Sequence, residues 1–211
     1  MPRNHRSRRD NAVQKGGAPA SSRGRNELRI IGGRWRGRKL RFPAAEGLRP
    51  TPDRVRETLF NWLAPTIAGA RCLDLFAGSG ALGLEALSRG ASDVEFVERA
   101  PAVAHHLRET LAVLAPAAGR VVQGDAEAYL AGPAAPFDVV FLDPPFGEDR
   151  VGGALECLVA GGWLAPGARV YVEQPASRGA PGWPAPLVAH RSGRAGEVGY
   201  HLGVMPGESE A

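Results

Sequence analysis

The sequence predicts an α/β protein built on a mostly parallel sheet, and three observations carry that prediction. From residue 67 onward, segments patterned as strands alternate with segments of helical periodicity. A glycine-rich turn, "AGSGALG", separates the first of these strands from the helix that follows. Acidic residues stand at the ends of successive strands, where an open sheet of this class gathers its ligands.

The elements follow in order. Residues 1–26 are rich in Arg, Gly, Ser and Ala and hold almost no large apolar side chain, which predicts a disordered basic tail. Residues 27–66 read as a small N-terminal unit. "LRIIGGRWRGRKLRFP" predicts two short strands around Gly32 and Gly33, a basic hairpin with Trp35 inside it. "GLRPTPDRVRETLFNWLAP" predicts a helix with Thr51 as N-cap, Pro52 at the first helical position and Asp53 at the positive end. Val55, Leu59, Trp62 and Leu63 form its packed face, and Pro65 stops it.

Residues 67–205 hold the main domain. "RCLDLF", "DVEFVE", "GRVVQGD", "FDVVFLD" and "ARVYVEQ" are the strands. "GALGLEALSRG", "APAVAHHLRETLAVLA", "AEAYLA" and "VGGALECLVAGG" are the helices between them. The alternation implies parallel strands with crossover helices on both faces. "PLVAHRSGRAGEVGYHLGVM" reads as an antiparallel hairpin on the sheet edge, and residues 206–211 as a flexible end.

Size and charge narrow the classes. The 211 residues suffice for one full domain plus a tail, and no apolar stretch reaches the length of a membrane span. No apolar h-region follows the basic start, so a secretory signal is not expected and a cytoplasmic location is. Cys72 and Cys157 lack metal-ligand spacing and are expected as buried free thiols. His105 and His106 lack ligand partners, and no metal is expected. The net charge is +4, but residues 1–41 carry thirteen Lys and Arg against two acids, leaving thirteen basic and twenty acidic residues in the remainder. A basic arm on an acidic body suits a polyanion partner.

Gly78, Gly80 and Gly83 have the G-x-G-x-x-G spacing between a strand and a helix. Such a loop lets a ligand approach backbone, and Glu98, twenty residues on, is placed to accept both hydroxyls of a ribose. That much fits a nicotinamide dinucleotide equally well. Asp74, inside the strand before the loop, points elsewhere, because it would repel a pyrophosphate and suits a cation. S-adenosylmethionine carries a sulfonium, an ammonium, a ribose and an adenine, and no phosphate. Asp74 is assigned to its ammonium, Glu98 to the ribose and Asp125 to the adenine amino group.

"FLDPPF" closes the fourth strand of the main domain. Asp143 and the prolines Pro144 and Pro145 offer acceptors only, held extended because each proline fixes its own φ and restricts the residue before it. Acceptors alone match an amino group that donates two hydrogen bonds, and Phe146 adds a surface for a planar ring. The combination points to an exocyclic nucleobase amine held for methyl transfer, with the base extruded from any stack. Asp143 either takes the amine proton or only orients the nitrogen.

These residues resemble a known family. Asp143-Pro144-Pro145-Phe146 matches the D/N-P-P-Y/F signature of amino-group methyltransferases. Together with "RIIGGRWRGRKL", "GLRPTPDRVRETLFNWLAP" and "CLDLFAGSGALGLEALSRGA", it closely resembles the bacterial 16S rRNA (guanine(966)-N(2))-methyltransferase family from about Leu28 to the final strand. The resemblance implies a seven-stranded, Rossmann-like S-adenosylmethionine-dependent methyltransferase fold, and N2-methylguanosine in 16S rRNA of the small ribosomal subunit as product; a monomer is expected. It places the cofactor loop on Asp74, Phe76, Ala77, Gly78, Ser79 and Gly80, and the ribose acid on Glu98 with Arg99 beside it. Asp125 and Ala126 complete the cofactor set. Ala100 departs from the family pattern, which often has an acidic or polar residue there.

The arginines then gain meaning. Arg34, Trp35, Arg36, Arg38 and Lys39 interleave charge with an aromatic ring, and Arg49, Arg54 and Arg56 flank the start of the following helix. This cluster is expected to bind phosphates of RNA. Competing readings are amino-group transfer to DNA adenine or to a protein glutamine, a nicotinamide-dependent oxidoreductase, and a non-catalytic RNA-binding module.

Overall fold

The computed structural model describes residues 27–43 and 51–207. The basic tail, Arg49 and the last four residues lie outside the described residues. Strands β1 (Glu27–Arg29) and β2 (Lys39–Arg41) pair antiparallel, Leu28 opposite Leu40. The loop between them carries a short 3-10 turn, Gly33–Trp35, so Trp35 sits in a turn rather than in a strand. Helix α1 (Asp53–Leu63) follows.

The main sheet uses β3 (Arg71–Asp74), β4 (Asp93–Glu98), β5 (Gly119–Gln123), β6 (Phe137–Leu142), β7 (Leu164–Pro175), β8 (Val188–Ala195) and β9 (Val198–Val204). Its seven strands run in the order β5-β4-β3-β6-β7-β9-β8. β3, β4, β5, β6 and β7 are parallel, while β9 pairs antiparallel with both β7 and β8, as the expected C-terminal hairpin. The crossover helices are α2 (Ala81–Ser88), α3 (Pro101–Leu114), α4 (Ala126–Leu130) and α5 (Val151–Ala160).

Strand β6 shows why residues 139–142, beyond the exposed Asp138, form a continuous apolar run. Val139 and Phe141 enter a core shared with α1, α2 and α3, while Val140 and Leu142 enter a core shared with α4 and α5. A central strand buried on both faces has no polar side to show. The β1–β2 unit joins the first of these cores through Leu28 and Ile30, as α1 does through Val55, Leu59, Phe60 and Leu63.

Two expectations are corrected. Thr51 does not cap α1; the Pro52 carbonyl accepts from the Val55 and Arg56 N–H groups, and the Thr51 hydroxyl is used elsewhere. Cys72 is buried as expected, but Cys157 lies on the outer face of α5 and is exposed.

A candidate active site at the switch point of the sheet

The chain leaves β3 toward β4 and β5 on one side, and β6 lies on the other. Between the carboxyl ends of β3 and β6 the sheet therefore opens a crevice, the place where ligands bind in this architecture. Asp74 ends β3, Glu98 ends β4, Asp125 follows β5 and Asp143 follows β6.

Asp74 is buried, and its Oδ2 accepts the Gly83 N–H of α2 at 2.9 Å. Among the described residues it enters no ion pair. Burial pushes its carboxyl up to about 7, against the pull of the Gly83 N–H, and the charges of Asp143 and Glu98 add to the rise. A buried carboxylate with acidic neighbours and no cation is a site for a cationic ligand.

The glycine loop divides its work. Gly78 and Gly80 take φ of 51° and 75°, a conformation that favours glycine. Gly83 serves packing instead: a Cβ there would stand 2.2 Å from the Phe96 ring, so α2 lies against β4 only because the position is bare. The Gly78 N–H donates to Glu98 Oε2 at 2.8 Å, and the Ala100 N–H donates to Glu98 Oε1 at 2.6 Å. The loop and Glu98 are thus one unit, and Ala100 contributes its backbone N–H. Phe76 packs against the second core, Ala77 is buried, and Ser79 is half-buried.

Asp125 caps α4, its Oδ1 accepting the Glu127 N–H at 2.9 Å, and the next residue, Ala126, is buried. Its Oδ2 accepts from Arg150 Nη1 at 2.8 Å, which holds the carboxyl below the usual carboxylate range. Arg99 pairs with Glu148 at 3.2 Å, and Glu148 pairs with Arg150 at 2.7 Å. These ion pairs tie the loop after β6 to the ends of β4 and β5.

Asp143 accepts from the Thr51 hydroxyl at 3.2 Å. Burial pushes its carboxyl up to about 6, while Thr51 pulls it down. Pro144 is buried and Pro145 exposed. The Pro145 carbonyl accepts the Glu148 N–H and closes the turn, which leaves the Pro144 carbonyl as the backbone acceptor beside Asp143. Phe146 is 42% exposed, against the usual burial of so large an apolar ring, as a stacking surface requires.

The arginines separate into two kinds. Arg34, Arg36, Arg38, Lys39 and Arg54 are exposed. Arg34 lies over the Trp35 ring at 4.4 Å, and Lys39 pairs with Glu27 at 2.8 Å. Arg36 and Arg38 enter no ion pair among the described residues. Arg56 is the correction: it is 1% exposed and faces inward. It donates to the Thr51 carbonyl, the Arg29 carbonyl and Asp53, and stands 3.6 Å from Glu85. A guanidinium so enclosed is structural and unavailable to RNA.

Sequence reading missed Glu85. It is fully buried in α2, accepts from the Ile31 and Gly32 N–H groups at 2.9 and 2.8 Å, and pairs with Arg89 at 2.8 Å. It docks the β1–β2 loop onto the helix that opens at the glycine loop. The signal was a lone acid within an apolar helix, "ALGLEALS", which a buried position admits only with partners.

Sheet order, crevice and acids together define the fold of the S-adenosylmethionine-dependent methyltransferases. The comparisons with known proteins narrow this class. The model of the family described as "Conserved hypothetical protein 95" matches residues 28–204. The ribosomal RNA small subunit methyltransferase D of Escherichia coli (strain K12) is 50% identical over 190 residues, covering 89% of this chain and 96% of that one. The protein of the same name from Haemophilus influenzae is 49% identical over 153 residues, 71% of this chain and 79% of that one. Among solved structures, yhhF of Escherichia coli superposes with a TM-score of 0.81 at 47% identity, covering 86% of this chain and 99% of that one. The chain belongs to the ribosomal RNA small subunit methyltransferase D family.

Proposed function

We propose that this protein transfers a methyl group from S-adenosylmethionine to the exocyclic N2 amine of a guanine in 16S rRNA of the small ribosomal subunit. One observation carries the reading: Asp143, braced by Thr51, stands across the switch-point crevice from Asp74, a buried acid that has no cation of its own among the described residues. Family membership sets aside the oxidoreductase and the non-catalytic readings.

The residues present fit the cofactor. Asp74 is placed to take the ammonium, Glu98 the ribose hydroxyls through the free lone pairs of its two oxygens, and Asp125 and Ala126 the adenine end. Phe76, Ala77, Gly78, Ser79 and Gly80 pass close as the loop, with Arg99 at its rim. When bound, S-adenosylmethionine supplies an electrophilic methyl on a positive sulfur. Asp143 and the Pro144 carbonyl accept the two amine hydrogens, which localises the nitrogen lone pair and aims it. Phe146 holds the base by its face, and Pro145 keeps the turn. Positioning of this kind supplies most of the rate. Arg34, Trp35, Arg36, Arg38, Lys39 and Arg54 form the RNA-facing surface.

Cofactor binding requires the charged form of Asp74, so affinity falls by about tenfold for one pH unit below its titration range. Calorimetry across pH 6–8 measures this, and Asp74→Asn flattens the dependence. The sign for stability follows from the same shift. The folded ligand-free protein keeps a proton that the unfolded chain releases between about 4 and 7, so the Asp74 contribution makes it less stable as pH rises through that range. Replacing Arg36 and Arg38 with alanine reduces the slope of log K for RNA against log salt by about 1.4, if each meets one phosphate of a single strand. Filter binding at several salt concentrations reads it, and an unchanged slope removes the hairpin from the RNA surface.

Transfer itself is tested with labelled S-adenosylmethionine and small subunits that lack the mark.

A further inference from the structure

A second carboxylate stands behind Asp143. Phe141 pairs with Tyr171 and Leu142 with Val172 across β6 and β7, so the next register step brings Glu173 beside Asp143. Residues two apart share a sheet face, which puts Asp143 and Glu173 on the face that α1 covers. Glu173 is 2% exposed, and its Oε1 accepts from the Tyr171 hydroxyl at 2.8 Å. The Thr51 hydroxyl donates to Asp143 Oδ2, and the register sets the Glu173 carboxylate beside that pair.

The charges facing Glu173 come from every element around it. β6 brings Asp143, β7 brings Tyr171, and β9 brings Tyr200 as its register partner. Among the described residues the cation is Arg56 of α1, and that guanidinium is already engaged by Asp53, Glu85 and two backbone carbonyls. Asp74, on β3, lies beyond Asp143. Two neighbouring acids in such a place do not both ionise; they hold one proton between them. Burial and the Asp143 charge push Glu173 well above the carboxylate range, whereas Asp143 rises only to about 6.

Building on the proposed amine transfer, we propose that Glu173 is a positioning residue: it stands neutral behind Asp143 and donates a hydrogen bond to the Thr51 oxygen. Thr51 then has its own hydrogen committed to Asp143. Asp143 is left as the ionised member of the pair, with its remaining lone pairs turned to the amine. The chain of donors runs from Glu173 through Thr51 to Asp143, and Tyr171 fixes its far end.

The test has an arm that needs no RNA. Infrared spectra of the full-length protein at about pH 8, above the range in which Asp74 titrates, should contain the carbonyl band of a neutral carboxylic acid. Glu173→Gln removes that band, and the exposed-site control Glu197→Gln keeps it. Absence of the band in the unaltered protein overturns the proposal, whatever the substrate proves to be. Failure of the unaltered protein to methylate any rRNA would instead count against the proposed function. In the kinetic arm, Glu173→Gln keeps the donor and retains kcat within about threefold at neutral pH. It also lacks the alkaline decline that the unaltered protein shows as Glu173 ionises. Thr51→Val lowers kcat by about tenfold with KM for the cofactor unchanged, and Thr51→Ser restores it. A glutamine variant as slow as Asp143→Ala, or a valine variant at full speed, contradicts the chain.

Discussion

Asp143→Ala is expected to lower kcat by about 10²- to 10⁴-fold while S-adenosylmethionine binds as before. The two halves of this result follow from the geometry. Asp143 makes no hydrogen bond to the glycine loop or to Glu98; its partner among the described residues is Thr51, just before α1. Removing the carboxylate therefore leaves Asp74, Glu98 and Asp125 in their own hydrogen bonds to Gly83, Gly78 and Glu127. What is lost is the acceptor that localises the amine lone pair. Single-turnover methylation measures the first half and calorimetry the second. A variant that turns over normally would remove the acceptor cluster from the mechanism. One that no longer binds cofactor would move Asp143 into the cofactor site.

Arg56→Met should cost about 3 kcal/mol of stability, because breaking a buried ion pair by removing one partner leaves the other charge uncompensated. For a domain of this size that lowers Tm by roughly 6–12 °C. Glu85 keeps Arg89 at 2.8 Å, so the loss should fall at the lower end for such pairs. Arg56 also supports the site, since its Nε donates to the Thr51 carbonyl at 3.2 Å and so anchors the residue whose hydroxyl meets Asp143. The variant should thus lose kcat as well as stability, while the salt dependence of RNA binding stays unchanged. Thermal unfolding and the binding slope measure the two claims. A reduced slope would return Arg56 to the RNA surface, where the sequence alone had placed it.

Arg56 marks a boundary of what sequence can tell. The strand and helix order of the main domain was legible because β6 and its neighbours are apolar on both faces, and because glycine and proline punctuate them. The acids of the crevice were legible because strand ends have fixed places in such a sheet. The direction of a long polar side chain near a helix start is not encoded in local pattern. Arg54 and Arg56 look alike in "DRVRE", and only the packing of α1 against α2 turns one outward and one in. Thr51 was misplaced for the same reason. Its position before a helix suits a cap, and its use by an acid 92 residues away appears only in the fold. Glu85 accepts from N–H groups 54 and 53 residues away, and Glu173 meets Asp143 only through the pairing of β6 with β7, so neither arrangement shows in local pattern.

The most direct measurement follows the label. Small subunits lacking the modification are incubated with the protein and labelled S-adenosylmethionine, the 16S rRNA is digested to nucleosides, and the labelled nucleoside is identified by mass spectrometry. The account predicts label in N2-methylguanosine alone, at up to one methyl for each rRNA molecule. Label in methyladenosine, or in DNA offered in the same reaction and not in the rRNA, would contradict it.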